Sequence, residues 1–324
     1  MGLLSFPAAF LWRSSPLSTP VPMRGTIRTL SRELFDFDQE ETVGQRWHFR
    51  LVELFLVVFT MQFCWEWGVY IQQNITEVML PLGLAQYIDV SFMFDNYVAL
   101  GNASLVSALL VLGFFRVWGP AYFVALLFFH MQYVARYSLG EISHGSNLVG
   151  MGILLLGLAH LFFQSDSARR RFTFGSLYFF IGLGYTSAAV CKLIGTGITW
   201  PHGHHLLMWI MERKVDTISK LGAFDPNLLQ QLVLQNYHWG TAILLFGLLA
   251  EGVSFMMWFR KYRYYIVMLV VSMHIGIAIS MNIFFEASTY FLILLGLPWG
   301  RIFDWVRTRV SISPSSRPSA SAAQ

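Results

Sequence analysis

Apolar positions in this chain come in long unbroken runs, not in the alternation of a half-buried strand or the narrow stripe of a surface helix. From about residue 49 onward, stretches of about twenty mostly apolar residues recur between short polar breaks. A helix of that length crosses the ~30 Å hydrocarbon core of a bilayer. The pattern therefore predicts an all-α, polytopic membrane bundle of about eight transmembrane helices. They fall near 49–72, 97–117, 119–136, 145–163, 172–196, 238–258, 264–284 and 286–303, the last short and partly interfacial. The span segments lack the period-two pattern of an outer-membrane barrel. Between the fifth and sixth lies 199–236, with Pro201, Asp225-Pro226 and an amphipathic Leu/Gln run, expected to lie on the membrane surface. Residues 1–48 read as a polar cytoplasmic tail, with an organelle transit sequence as the other reading of its acid-free first 32 residues. Residues 304–324 read as a second, Ser/Pro-rich cytoplasmic tail.

Composition agrees: 55% hydrophobic, 16% aromatic and only 12% charged residues exclude an ordinary soluble domain. The net charge of +4 is explained by topology and not by nucleic-acid binding, since no basic stripe interleaved with aromatics lies outside the spans. Arginines of the first fifty residues, Arg116, Arg169 to Arg171, Arg260, Arg263 and those from Arg301 onward fall on one side of the predicted bundle. Arg136, Arg213, Lys214 and Lys220 fall on the other. This bias places both termini in the cytoplasm, with the host membrane left open. Cys64 and Cys191 both lie in spans and read as packing residues. Asn74-Ile-Thr is a glycosylation sequon on the outer side, close to the bilayer.

Lys192 stands out. It is the lone charge in the run from Phe174 to Ile198. Ionisable groups at membrane depth are rare and mark functional sites by default. Burial also disfavours an ammonium and can turn lysine into a base. The topology places further polar residues at the same outer depth: His144 opening span four, His238 opening span six, Asn282 and Glu286 at the turn between spans seven and eight, and His202, His204 and His205 after Trp200-Pro201. Trp200 follows Lys192, and Tyr185 precedes it by two helical turns. A base, imidazoles and a carboxylate converging from separate segments describe a candidate site. Each residue also has a structural reading. Interface histidines are common, and Glu53, Glu251 and His274 can serve as polar glue between helices. His202, His204 and His205 fit no standard metal-ligand spacing, so no metal is expected.

The segment from Tyr185 to Leu193, with Trp200 and Gly203, resembles the signature span of vitamin K-dependent gamma-carboxylase and of its relatives, the horizontally transferred transmembrane (HTTM) domain family. Further segments match in the same order: Ser143 to Leu148 around His144, His238-Trp239-Gly240, and His274 through Ile283 and Phe284. Cys191 and Asn282 depart from the family's lysine and glycine at those positions. The likeness covers roughly 45–303. It implies Lys192, His144 and His238 as catalytic residues and a pocket formed by Tyr185, Trp200, Trp239, Asn282, Glu286 and His274. It also implies a reduced, vitamin K-like quinone as cofactor and a lyase-type carboxylation as the sharpest activity. The family's large lumenal domain, which binds protein substrates, has no counterpart in segment 199–236.

Three readings follow. The chain is a membrane enzyme using Lys192 as base on a quinone or other lipid-soluble substrate near the outer leaflet. Alternatively, it binds or transports a lipid or small molecule without turnover. In the third reading it is an assembly partner in which Lys192 only pairs helices, and Lys192→Met is then expected to fold normally. Membrane lipids are partners in all three.

Overall fold

The computed structural model describes residues 23–35, 41–70, 80–139 and 144–311, the side chains of 23–27, 70, 144 and 310–311 excepted. The glycosylation sequon at Asn74 lies outside the described residues. Those residues form twelve α-helices and no strand: α1 (Met23–Phe35), α2 (Val43–Tyr70), α3 (Asn96–Phe114), α4 (Ala121–Tyr137), α5 (His144–Phe162) and α6 (Asp166–Thr196), followed by α7 (Gly203–Leu221), α8 (Leu228–Gln235), α9 (Tyr237–Gly252), α10 (Arg260–Met281), α11 (Glu286–Gly296) and α12 (Trp299–Ser311). Six segments are long and apolar enough to cross a membrane: α2, α3, α5, α6, α10, and α9 with the 3₁₀ turn that extends it to Trp258. The chain is thus an all-helical, multi-pass membrane protein by the length and composition of its helices. Helix α4 has 17 residues and α11 has 11.

Three stretches differ from the sequence reading. The run 286–303 is two helices, because Pro298 removes a backbone donor and its ring clashes with the preceding turn. Helix α12 then continues to Ser311, through residues expected to belong to a tail. At the other end α1 lies within the expected polar tail and packs on α6, where Phe35 stacks on Phe172 with ring centroids 6.3 Å apart. The stretch 199–236 is helical, forming α7 and α8. Buried Leu206, Ile210 and Val233 there join Leu244 of α9.

The main core is a cluster around Leu56, Tyr122, Ile153, Leu177, Val270 and Phe291, drawn from α2, α4, α5, α6, α10 and α11. Large apolar side chains also face outward, among them Val58, Leu127, Ile194 and Ile275. In water such a surface would aggregate, whereas lipid tails solvate it without cost.

Charge is concentrated at one end. Glu53 is fully buried there and accepts hydrogen bonds from Arg50 at 2.9 Å, from both terminal nitrogens of Arg116 (Nη2 at 3.1 Å), and from the Tyr122 hydroxyl at 2.7 Å. Arg170 meets Glu41 at 2.7 Å, and Arg260 and Arg263 donate to the Glu33 carbonyl at 3.1 and 3.2 Å. These contacts tie α1, the starts of α2, α6 and α10, and the turn after α3 into one basic face. Helix α12 docks there too, with Gly300 against Gly44 so closely that a Cβ on Gly44 would lie 2.0 Å from the Gly300 carbonyl oxygen. The Asp304 carboxylate accepts from the Gly44 amide at 2.8 Å and from Thr42. These two donors hold its carboxyl below the usual carboxylate range.

Two outcomes are expected. Arg116→Ala strips a buried carboxylate of its bidentate partner and should cost about 3 kcal/mol in unfolding measured in detergent, while Arg116→Met with Glu53→Gln recovers most of that loss. The contact at Asp304 stabilises α12 docking above the ordinary carboxylate range and loses that effect as pH falls through the lowered value. Hydrogen exchange at the Gly44 amide, corrected for its intrinsic acid dependence, should therefore quicken on acidification. In Asp304→Ala, which removes the acceptor, it should be fast already at neutral pH.

Candidate functional site

Helix α6 is built to carry a site along one face. Ser165 caps its start, accepting from the Ala168 amide at 3.2 Å, and Gly197 ends it at a φ of 77°. Over its 31 residues, Tyr185 and Lys192 stand seven apart, hence on one stripe. That stripe meets α9 and α10. The antiparallel register of α6 and α9 is fixed by Thr186, whose hydroxyl donates to the Glu251 carbonyl at 3.4 Å and accepts from the Phe255 amide at 3.0 Å.

Lys192 finds its counter-ion in Glu251 of α9. Its Nζ lies 2.5 and 2.6 Å from the two carboxylate oxygens, so the pair is bidentate. The same nitrogen sits 4.6 Å from the centroid of the Trp200 ring, a cation–π contact that closes a third side. Exposure is uneven: the Lys192 side chain is 31% exposed and that of Glu251 only 9%. The Glu251 carboxylate is the more enclosed partner, and the Lys192 side chain is the partly exposed one.

A second polar pair adjoins the first. The Tyr185 hydroxyl lies 2.6 Å from His274 Nε2, with the rings edge to face at 5.7 Å. Thr186, next to Tyr185 in the chain, bonds the Glu251 backbone and so sets the two pairs near one another along α6. His274 is buried, and its other ring nitrogen, Nδ1, has no hydrogen-bond partner among the described residues. Thr289 Oγ1 is likewise buried without one. Two proton-sharing pairs thus lie between α6, α9 and α10 in an otherwise apolar wall. Within each, a proton can pass between donor and acceptor over a hydrogen bond.

Of the residues singled out in the sequence, the structure brings together Lys192, Tyr185, Trp200 and His274. His238, Trp239, Asn282 and Glu286 are all exposed, and no hydrogen bond, ion pair or ring contact joins any of them to Lys192 or Glu251 among the described residues. His238 stacks on Tyr237 at 4.2 Å, in an aromatic and histidine group with His202 and His204. Asn282 ends α10 in the left-handed conformation, φ 56°, where asparagine and glycine are the favoured residues. His144 begins α5, and its side chain lies outside the described residues. Cys191 is exposed on α6, and Cys64 is buried; both are free thiols.

Glu251 is the site residue whose role the sequence reading missed, treating it as polar glue. Reading spans as equal rods sets Lys192 at the outer end of its helix, far in depth from Glu251. In the structure Ala189 meets Gly252, and Met273 meets Gly247. The pair consequently lies well inside the segment Tyr237–Trp258, with Glu251 about two-thirds of the way along it. The available signal was charge complementarity: a lone lysine and a lone glutamate in two apolar spans.

Comparison with protein-family models, curated proteins and solved structures finds no match to this chain.

Lys192→Met leaves the Glu251 carboxylate buried and unpaired. It should destabilise the protein by about 3–5 kcal/mol, in contrast to the normal folding expected when Lys192 is considered alone. Lys192→Met with Glu251→Leu should return to within about 1 kcal/mol of wild type, as read by thermal unfolding in detergent.

Proposed function

We propose that this chain is a membrane enzyme in which Lys192 and Glu251 act as an acid–base pair on a weakly acidic, lipid-soluble substrate, a reduced quinone being the favoured class. The observation that carries the reading is the bidentate pair of Lys192 and Glu251 between two apolar helices, with a lysine side chain 31% exposed over a glutamate side chain 9% exposed. Lateral entry from the bilayer brings an apolar ligand to that pair.

In this reading a bound reduced quinone supplies an acidic hydroxyl. The Glu251 carboxylate accepts the proton, and the Lys192 ammonium stays beside the negative charge left on the ligand oxygen. Trp200 holds the ammonium in place. The apolar wall excludes water and so strengthens each of these interactions. His274 Nδ1, buried with no hydrogen-bond partner among the described residues, supports the fit by leaving one polar group for a ligand oxygen. The lysine becomes a charge stabiliser and the glutamate the proton acceptor, a division that suits the bidentate ion pair better than a free amine would. The reading carries over the acid–base half of the chemistry implied by the HTTM resemblance. It leaves out glutamyl carboxylation, since nothing in these residues specifies a glutamyl substrate.

For topology, we extend six spans to about eight by counting α4 and α11 as short crossings. The arginine-rich face is placed in the cytoplasm by the positive-inside bias. That end gathers α1, the start of α2 and α12, which supports cytoplasmic termini.

A second reading is favoured by one specific observation. The bidentate contact and the Trp200 ring restrain the ammonium from several sides, as a structural pin between α6 and α9 would require. Lipid extraction separates the two. Wild type and Lys192→Met with Glu251→Leu, purified in detergent, are extracted and bound lipids identified by mass spectrometry. An isoprenoid quinone recovered with wild type and lost from the double variant is expected. Phospholipid alone in both samples would overturn the enzyme reading in favour of the pin.

A further inference from the structure

We propose that the groove between α2, α11 and α12 is a binding site for an anionic glycerophospholipid, with its phosphate at the arginine-rich end and an acyl chain along α2. This site shares no residue with the Lys192 pair and stands independently of its function.

Two cavities of about 520 and 470 Å³ line the outer face of α2 and share Leu51 and Leu54 as wall residues. The upper cavity is edged by Trp47, Arg50, Phe303 and Arg307. The lower one continues past Val58 and Phe59 to Tyr290 and Ile293 of α11. Trp47, Leu51, Leu54 and Val58 recur at the three- and four-residue spacing of one helical face. From Trp47 to Phe59 the helix rises about 18 Å, about the depth of one leaflet of a ~30 Å core.

Charge decides the occupant. The mouth holds two guanidinium groups. Arg307 is exposed and makes no hydrogen bond or ion pair among the described residues. Arg50 is 39% exposed and directs its hydrogen bonds to Glu53 and the Phe114 carbonyl through Nη1 alone, leaving its other nitrogens to a ligand. Glu53 is shared by Arg50 and Arg116, and Asp304 accepts from Thr42 and Gly44 with Arg307 close enough to feel its charge, so three guanidinium groups face two carboxylates. The mouth is therefore cationic and the channel below it apolar, which matches a phosphate joined to an acyl chain. Trp47, 65% exposed at the rim, sits at the headgroup depth that indole rings prefer. A zwitterionic lipid would bring its own ammonium against the two guanidinium groups and lose the net attraction.

The test uses the full chain in detergent, exchanged against mixed micelles of phosphatidylglycerol and phosphatidylcholine with identical acyl chains. Bound lipid is then counted by native mass spectrometry. Phosphatidylglycerol should be retained at least about five-fold over phosphatidylcholine, the effect of one arginine near an anionic phosphate. Arg307→Gln should reduce that preference by about five-fold. Leu54→Trp, which fills the shared wall, should lower phosphatidylglycerol retention while the thermal midpoint holds. Equal retention of the two lipids, or an Arg307→Gln preference equal to wild type, would overturn the proposal. So would a two-chain mass in place of the lipid adduct, since a second copy would then cover the groove.

Discussion

Taking an ammonium or a carboxylate out of water costs several kcal/mol for each ion, and an apolar bundle returns that cost only when the two meet with good geometry. Lys192 and Glu251 meet in this way between α6 and α9, with both carboxylate oxygens on one ammonium. The pairing constrains much else. It sets the axial register of the two helices, supported by Thr186 of α6, which bonds the Glu251 carbonyl and the Phe255 amide. It also places Tyr185 against His274 of α10 and turns Trp200 back over the lysine. Three helices and the turn after α6 are thereby fixed relative to one another around a polar group that packing alone would not choose.

The rest of the charge is treated differently. At the basic end Glu53 is surrounded by two arginines and a tyrosine, so it is more than satisfied by protein and has no face left for a ligand. At the Lys192 pair the carboxylate is covered and the lysine side chain is partly exposed. Similar residue types are thus packed differently. One cluster locks the starts of α2 and α4 to the end of α3, and the other joins α6 to α9 with part of its lysine uncovered.

Sequence made the class of fold legible because length and hydropathy act directly: a run of apolar residues in lipid must satisfy its own backbone, and a helix does so. Pro298 was also visible, yet its consequence, the split of 286–303 into α11 and α12, depends on where α12 packs, and that is set by Gly44 and Asp304 at a distant position in the chain. Helix α1 was illegible for a similar reason. Its residues are polar enough to read as tail, and its order rests on backbone contacts to α6 and on Arg260 and Arg263. Lys192, Tyr185, Trp200 and His274 were legible as a group. Glu251 was not joined to them because depth was inferred from each span alone, whereas the real depth comes from how α6 and α9 are staggered. The exposed positions of His238, Trp239, Asn282 and Glu286 follow from the same stagger: they lie at or next to the ends of helices whose polar contacts are formed further along.

The central claim is that Glu251 exchanges a proton with a ligand while Lys192 holds the resulting charge. Infrared difference spectroscopy of the detergent-solubilised protein tests it directly, on adding a reduced naphthoquinone that bears an isoprenoid tail. The account predicts a carboxylate band replaced by a protonated carboxyl band in wild type and absent from Glu251→Gln. No carboxyl change in wild type, or the same change in Glu251→Gln, would contradict it.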